Sequence, residues 1–205
     1  MAKKEKISPA KQRIIDNYEM QRQMLIKEGY EERLEIISIL KANLMVFVTA
    51  LPLVIAGIVF WGVTKKHGAF SFSIFDGIWF LLLYFGTMFL HEVLHGLGWS
   101  IWTKEGWKSI FLGVMWESLT PYCHCKEPLT PGKYMFGGLL PFVVLGIGLY
   151  VLAFSTDSLL ILWLSLFNIL GAGGDLAIML HVFKYRNAYL LDHPTECGFA
   201  AFECF

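Results

Sequence analysis

Thirteen residues from Ile78 to Leu90 carry no charge and run directly into His91-Glu92-Val93-Leu94-His95. A stretch this apolar folds as a helix inside a core or a bilayer, and histidines at i and i+4 then lie one above the other on a single face. Imidazoles placed this way can bind one metal ion together. A glutamate one residue round can lean over the ion's open side and take a proton from water, the general-base role in a zinc peptidase. Ionisable groups in such a segment are costly unless they face a polar interior. The pattern therefore marks His91 and His95 as zinc ligands and Glu92 as the catalytic base. The bland alternative is three polar residues packed in a bundle without metal.

Composition decides between a soluble core and a bilayer. Of 205 residues, 56% are hydrophobic and 17% charged, which is a membrane composition. Apolar runs over 42–63, 77–102, 132–154 and 158–183 are each long enough to cross a bilayer at ~1.5 Å per residue. Pro52 marks a kink in the first. The expected fold is an all-α integral membrane protein with about four transmembrane helices, multi-pass in the cell membrane. Residues 1–41 form a cytosolic or interfacial helical segment, and 42–205 form the transmembrane domain.

Ser8 before Pro9 reads as the cap of the first helix, which gathers Ile14, Ile15, Tyr18, Leu25 and Ile26 on one side. Solvation in the cytosol and docking on the membrane surface suit it equally. Lysine and arginine number nine before the first run, two after it, four between the second and third, and two at the end. That bias places both termini in the cytoplasm. The charged N-terminus argues against a cleaved signal peptide, and the balanced net charge gives no sign of a nucleic-acid partner. Cys123, Cys125, Cys197 and Cys204 have no disulfide-scaffold spacing and are expected as reduced thiols.

Depth brings in a third ligand. From the outer ends of their runs, His91 lies ~20 Å down the second and Asp175 ~25 Å down the fourth, at one level in the cytoplasmic half. Asp175 is the candidate third ligand. Asn168, two turns before it, would hydrogen-bond a substrate carbonyl or a ligand. Gly171, Gly173 and Gly174 would let the helix unwind there, or approach the second run closely where Gly96 and Gly98 lie.

Trp107 to Leu129 is too long for a tight turn and mixes apolar residues, Trp116 among them, with Pro121 and Pro128. A re-entrant or β-hairpin-like loop is expected, and an edge strand there could hold an extended peptide by β-addition. His124 is read as a polar group near the site's mouth that helps position substrate. Cys123, His124 and Cys125 are too closely spaced for a zinc knuckle. His67, His181 and His193 are expected to be solvated or interfacial.

With His91, Glu92, His95 and the Asn168 to Asp175 stretch (NILGAGGD) assembled, the chain resembles a family of small bacterial membrane proteins described as putative zincin peptidases. The resemblance spans roughly Phe80 to Phe183 and includes the PYCHCKEPL loop at 121–129. The family in turn looks like a compact relative of the site-2 intramembrane proteases. That kinship implies zinc held by His91, His95 and Asp175, water activated by Glu92 and substrate positioned by Asn168. No proline follows Asn168, and Leu176 stands where the site-2 pattern has glycine. The implied substrates are membrane proteins or peptides, cleaved in a bacterial cytoplasmic membrane.

Three other functions remain. A diiron hydroxylase needs several histidine boxes, and the sequence has one. A metal transporter needs polar steps along its pore, and only Asp76 and Asp157 flank the spans. A non-catalytic scaffold or chaperone subunit has no evident need for Glu92 beside two ligands.

Overall fold

The computed structural model describes residues 9–65, 73–115 and 120–204. His67, Trp116 and the cap expected at Ser8 lie outside them.

Helix α1 (Pro9–Lys27) opens on a proline, whose missing amide costs nothing in a first turn. It closes with the Tyr30 amide donating to the Leu25 carbonyl at 3.1 Å and the Gly29 amide to Ile26 at 3.0 Å, a Schellman ending. Helices α2 (Ile39–Thr49) and α3 (Leu51–Thr64) follow, separated at Ala50 just before Pro52, which lacks the amide a continuous ladder needs. Helix α4 (Ile74–Ser100) starts in a capping box: Ser73 Oγ accepts from the Phe75 amide at 3.0 Å, and the Asp76 carboxylate accepts from the Ser73 amide at 2.9 Å.

Strands β2 (Ile110–Met115) and β3 (Thr120–Cys125) form an antiparallel hairpin in the loop that follows. Helix α5 (Pro131–Pro141) passes through a π-helical stretch, Phe142–Gly148, into α6 (Leu149–Thr156). The wider turns begin directly after Pro141, whose ring displaces the regular bonding. Helices α7 (Leu159–Gly171) and α8 (Gly173–Val182) meet at 43° across Ala172, inside the glycine cluster. Strands β4 (Ala188–Asp192) and β5 (Gly198–Glu203) end the described chain.

Among the described residues, three helices are long and apolar enough to cross a membrane, Asn43–Thr64, Ile74–Ser100 and Pro131–Thr156, and a fourth span results if α7 and α8 count as one.

The all-α expectation needs correcting. Besides the hairpin, β1 (Glu31–Ile36), β5 and β4 form an antiparallel sheet in the order β1-β5-β4, with Glu31 paired to Glu203. Tyr18 and Leu25 of α1 pack on its Leu191, Ala200 and Phe202, while Ile26 stays exposed. Both sheets flank the same ends of the helices and are joined there. Leu129, just after the hairpin, bridges to Leu190 of β4, and the Cys125 amide donates to Asp192 at 3.1 Å.

Helix α4 divides the molecule. Its first half points large apolar side chains outward, with Trp79 58%, Leu82 60%, Phe85 65% and Phe89 62% exposed, a face consistent with a helix set in lipid. In its last turns Leu94, His95, Gly96, Gly98 and Trp99 are buried, with Trp99 packed into the core at the sheet end of the fold. The histidine motif sits where one half gives way to the other.

Candidate metal centre

His91 and His95 stand one turn apart on α4, and the bend at Ala172 aims the first turn of α8 at them. His91 Nε2 lies 2.9 Å from Asp175 Oδ2 and 3.1 Å from His95 Nε2, and His95 Nε2 lies 3.5 Å from the same carboxylate oxygen. Two ligands bonded to a tetrahedral zinc at 2.0–2.1 Å are separated by about 3.3 Å. The triangle fits that ion, with the fourth position left for water or substrate. Among the described residues, these three form the cluster of His, Cys, Asp and Glu that could hold a metal.

The surroundings fix the ligand orientation. His95 Nδ1 lies 2.9 Å from the Gly137 carbonyl, which can only accept, so the proton sits on Nδ1 and the Nε2 lone pair faces the site. The His95 ring stacks on Trp99 at 5.2 Å and 13°, and Trp99 Nε1 donates to the Tyr134 carbonyl at 2.9 Å. Helices α4 and α5 approach closely enough for this because both contribute glycine. A Cβ on Gly98 would lie 2.6 Å from Gly137 Cα, and one on Gly137 would lie 2.1 Å from the Trp99 ring.

Glu92 lines a cavity of about 150 Å³ together with His91 and Asn168. The backbone amide of Cys123, on β3, is close enough to act electrostatically on the Glu92 carboxylate. Asn168 is buried, and its Nδ2 donates to Thr87 Oγ1 of α4 at 3.1 Å and to the Leu164 carbonyl at 2.8 Å. It thus ties α7 to α4 beside the cavity.

His124 stands elsewhere. It is 4% exposed, is not among the cavity's lining residues, and turns Nδ1 toward Asp192 at 3.7 Å. The alternation of a strand explains this: Cys123 and Cys125 share one face of β3 and His124 takes the other. The same alternation keeps the three from converging on one ion. Burial also pushes the Cys125 thiol up to about 12 and the Cys123 thiol well above its ordinary value, so neither is a ready thiolate ligand. Burial lowers the His124 pKa, only partly opposed by Asp192, so the ring is held neutral.

Two imidazoles, a carboxylate from a separate helix and a glutamate beside them make a donor set suited to metal-assisted hydrolysis. The chain belongs to the family described as putative zincin peptidases, whose model matches residues 84–190. That membership supports a zinc-dependent metallopeptidase. No curated protein and no solved structure matches the chain.

Several supporting groups carry no sequence signal. The Gly137 carbonyl and the Cys123 amide are backbone atoms. Asp192 accepts the Tyr134 hydroxyl at 2.6 Å as well as the Cys125 amide, from a strand that sequence reading leaves in the tail. Nothing short of the folded chain relates these residues to His95 or Glu92.

Proposed function

We propose that this protein is a membrane-embedded zinc metallopeptidase that hydrolyses peptide bonds of membrane or membrane-associated substrates, akin to the site-2 proteases. The observation that carries the reading is the convergence of His91 Nε2, His95 Nε2 and Asp175 Oδ2 within 4.8 Å, beside a cavity that Glu92 lines. Zinc held there supplies a Lewis acid that acidifies water and polarises the scissile carbonyl. Glu92 takes the proton of the attacking water and passes it to the leaving nitrogen, with the Cys123 amide near its carboxylate. Asn168 borders the same space and orients the substrate.

The positive-inside bias puts the sheet end on the cytoplasmic side. The site then lies in the cytoplasmic half of the bilayer, with water reaching it from that face. Substrates are transmembrane helices that can unwind, or peptides entering from the cytoplasm.

The hairpin supports alignment by β-addition. The Cys125 amide leaves the β2–β3 pair for Asp192, so the antiparallel alternation turns the amides of its register partner Ile110, and of Leu112 and Val114, to the outer edge of β2. Deleting Ile110 to Met115 is expected to abolish cleavage, and unchanged cleavage of a confirmed substrate would remove this part of the reading.

Zinc content of the detergent-purified chain tests the whole. The expected result is about one zinc per chain, lost in His91→Ala and weakened in Asp175→Ala, with Glu92→Gln keeping the metal and losing turnover. A folded chain that takes up no zinc would overturn the peptidase and leave a scaffold.

A further inference from the structure

The cavity beside Glu92 has three polar side chains, His91, Glu92 and Asn168; Tyr84, Met88, Phe167 and the hairpin's Pro121 give it apolar walls. Tyr84 and Met88 lie two turns and one turn before Glu92 on α4. The wall they form therefore runs along α4 away from the sheet end. It is built rather than incidental: Phe167 meets Tyr84 edge-on at 5.6 Å and 78°, and Phe80 stacks on Tyr84 at 5.9 Å and 3° while meeting Phe167 edge-on at 5.2 Å. Such edge-to-face and offset pairs add rigidity to the gap between α4 and α7.

Size narrows the occupant. A cavity of about 150 Å³ is small for a drug-sized ligand, which usually takes several hundred. An apolar cavity of that volume holds one benzene ring. Gly171 opens the site on the α7 side, where a Cβ would meet no atom within 4 Å, so this position leaves room that a side chain would take up.

We infer that this cavity is a subsite for one large apolar or aromatic side chain of the substrate, on the residue flanking the scissile bond, with Tyr84, Met88 and Phe167 setting its specificity. The inference rests on the metallopeptidase reading of the same site. An apolar side chain seated there would put its own backbone beside Glu92 and the metal ligands. A side chain arriving from water would also gain its burial free energy at the place where the bond is cut.

The test uses two zinc-chelating probes on the zinc-loaded full chain in detergent, acetohydroxamate and 3-phenylpropanohydroxamate, with binding followed by calorimetry. Both offer the same chelating group, and only the second carries a ring. The ring is expected to tighten binding on the order of tenfold to a hundredfold, the worth of burying one such side chain. Gly171→Leu, which fills the cavity, and Phe167→Ala, which removes its wall, should each bring the ratio of the two affinities toward one. Equal affinities in the unaltered protein would overturn the subsite while leaving the metallopeptidase standing. Failure of both probes to bind a chain that holds zinc would overturn both, because the ion would then have no open position.

Discussion

Two tryptophans on one helix summarise how differently the two ends of this molecule are held. Trp79, early in α4, is 58% exposed, whereas Trp99, five turns on, is 5% exposed between His95 and Tyr134 and spends its indole N–H on a carbonyl. The outward half of α4 has the surface of a bilayer span. The other half packs as a water-soluble core does, with aromatic stacking and a sheet beneath. A metal site needs both properties: low dielectric around the ligands, and neighbours rigid enough to aim them.

The contrast can be broken by substitution. The largest effect belongs to the chemistry at the junction: Glu92→Gln should lower turnover on the order of a hundredfold to ten-thousandfold while zinc content by metal analysis stays unchanged. Retained turnover would move the base elsewhere. Next, Trp99→Ala should destabilise the fold by about 3–5 kcal/mol in denaturant unfolding, against less than about 0.5 kcal/mol for Trp79→Ala. Similar losses at the two positions would mean that the outward half is packed by something other than lipid or detergent.

Asp192→Ala probes how the sheet end supports the site. It strands the Tyr134 hydroxyl and the Cys125 amide, two buried donors, and should cost about 3 kcal/mol. Through Cys125 and Cys123 on one strand it should also loosen Glu92, so turnover would fall more than zinc affinity. Gly137→Ala follows, at about 1–3 kcal/mol, because the added methyl meets the Trp99 ring; a neutral result would show that α4 and α5 can separate without harm.

The smallest effect is one of pH. Glu127 is partly desolvated, which alone would raise its pKa, but the Ser109 hydroxyl and the amides of Lys104 and Glu105 more than offset this and hold it below its ordinary 4.5. A carboxylate depressed in the folded state contributes stability that is complete above the unfolded value and is lost as pH falls through the folded one. Melting temperature should therefore drop as pH is taken below about 4.5, and drop less steeply in Glu127→Gln. Solvent screening keeps this contribution modest.

Legibility in the sequence followed the range of the interaction. Spans were readable because hydropathy accumulates along twenty or so neighbouring residues, and described helices cover most of the four runs expected. The break at Ala50 and the π-helical turns after Pro141 lie at prolines, and the 43° bend lies in the glycine cluster. Strands β1, β4 and β5 were missed because each is only five or six residues long, and β1 besides has a remote partner, Glu31 pairing with Glu203. A segment that short has no periodicity strong enough to announce a strand whose partner lies at the other end of the chain.

The sequence by itself determined the helical spans and set two imidazoles on one helical face, since spacing at i and i+4 is a local matter of helix geometry. Only the tertiary structure decided that Asp175 closes the triangle, that Gly137 orients His95, that the hairpin brings Cys123 near Glu92 while His124 turns to Asp192, and that Tyr84, Met88 and Phe167 line a cavity beside the base. Each of those contacts joins groups distant in the chain, and their meeting depends on how helices bend and pack rather than on any residue's own preference.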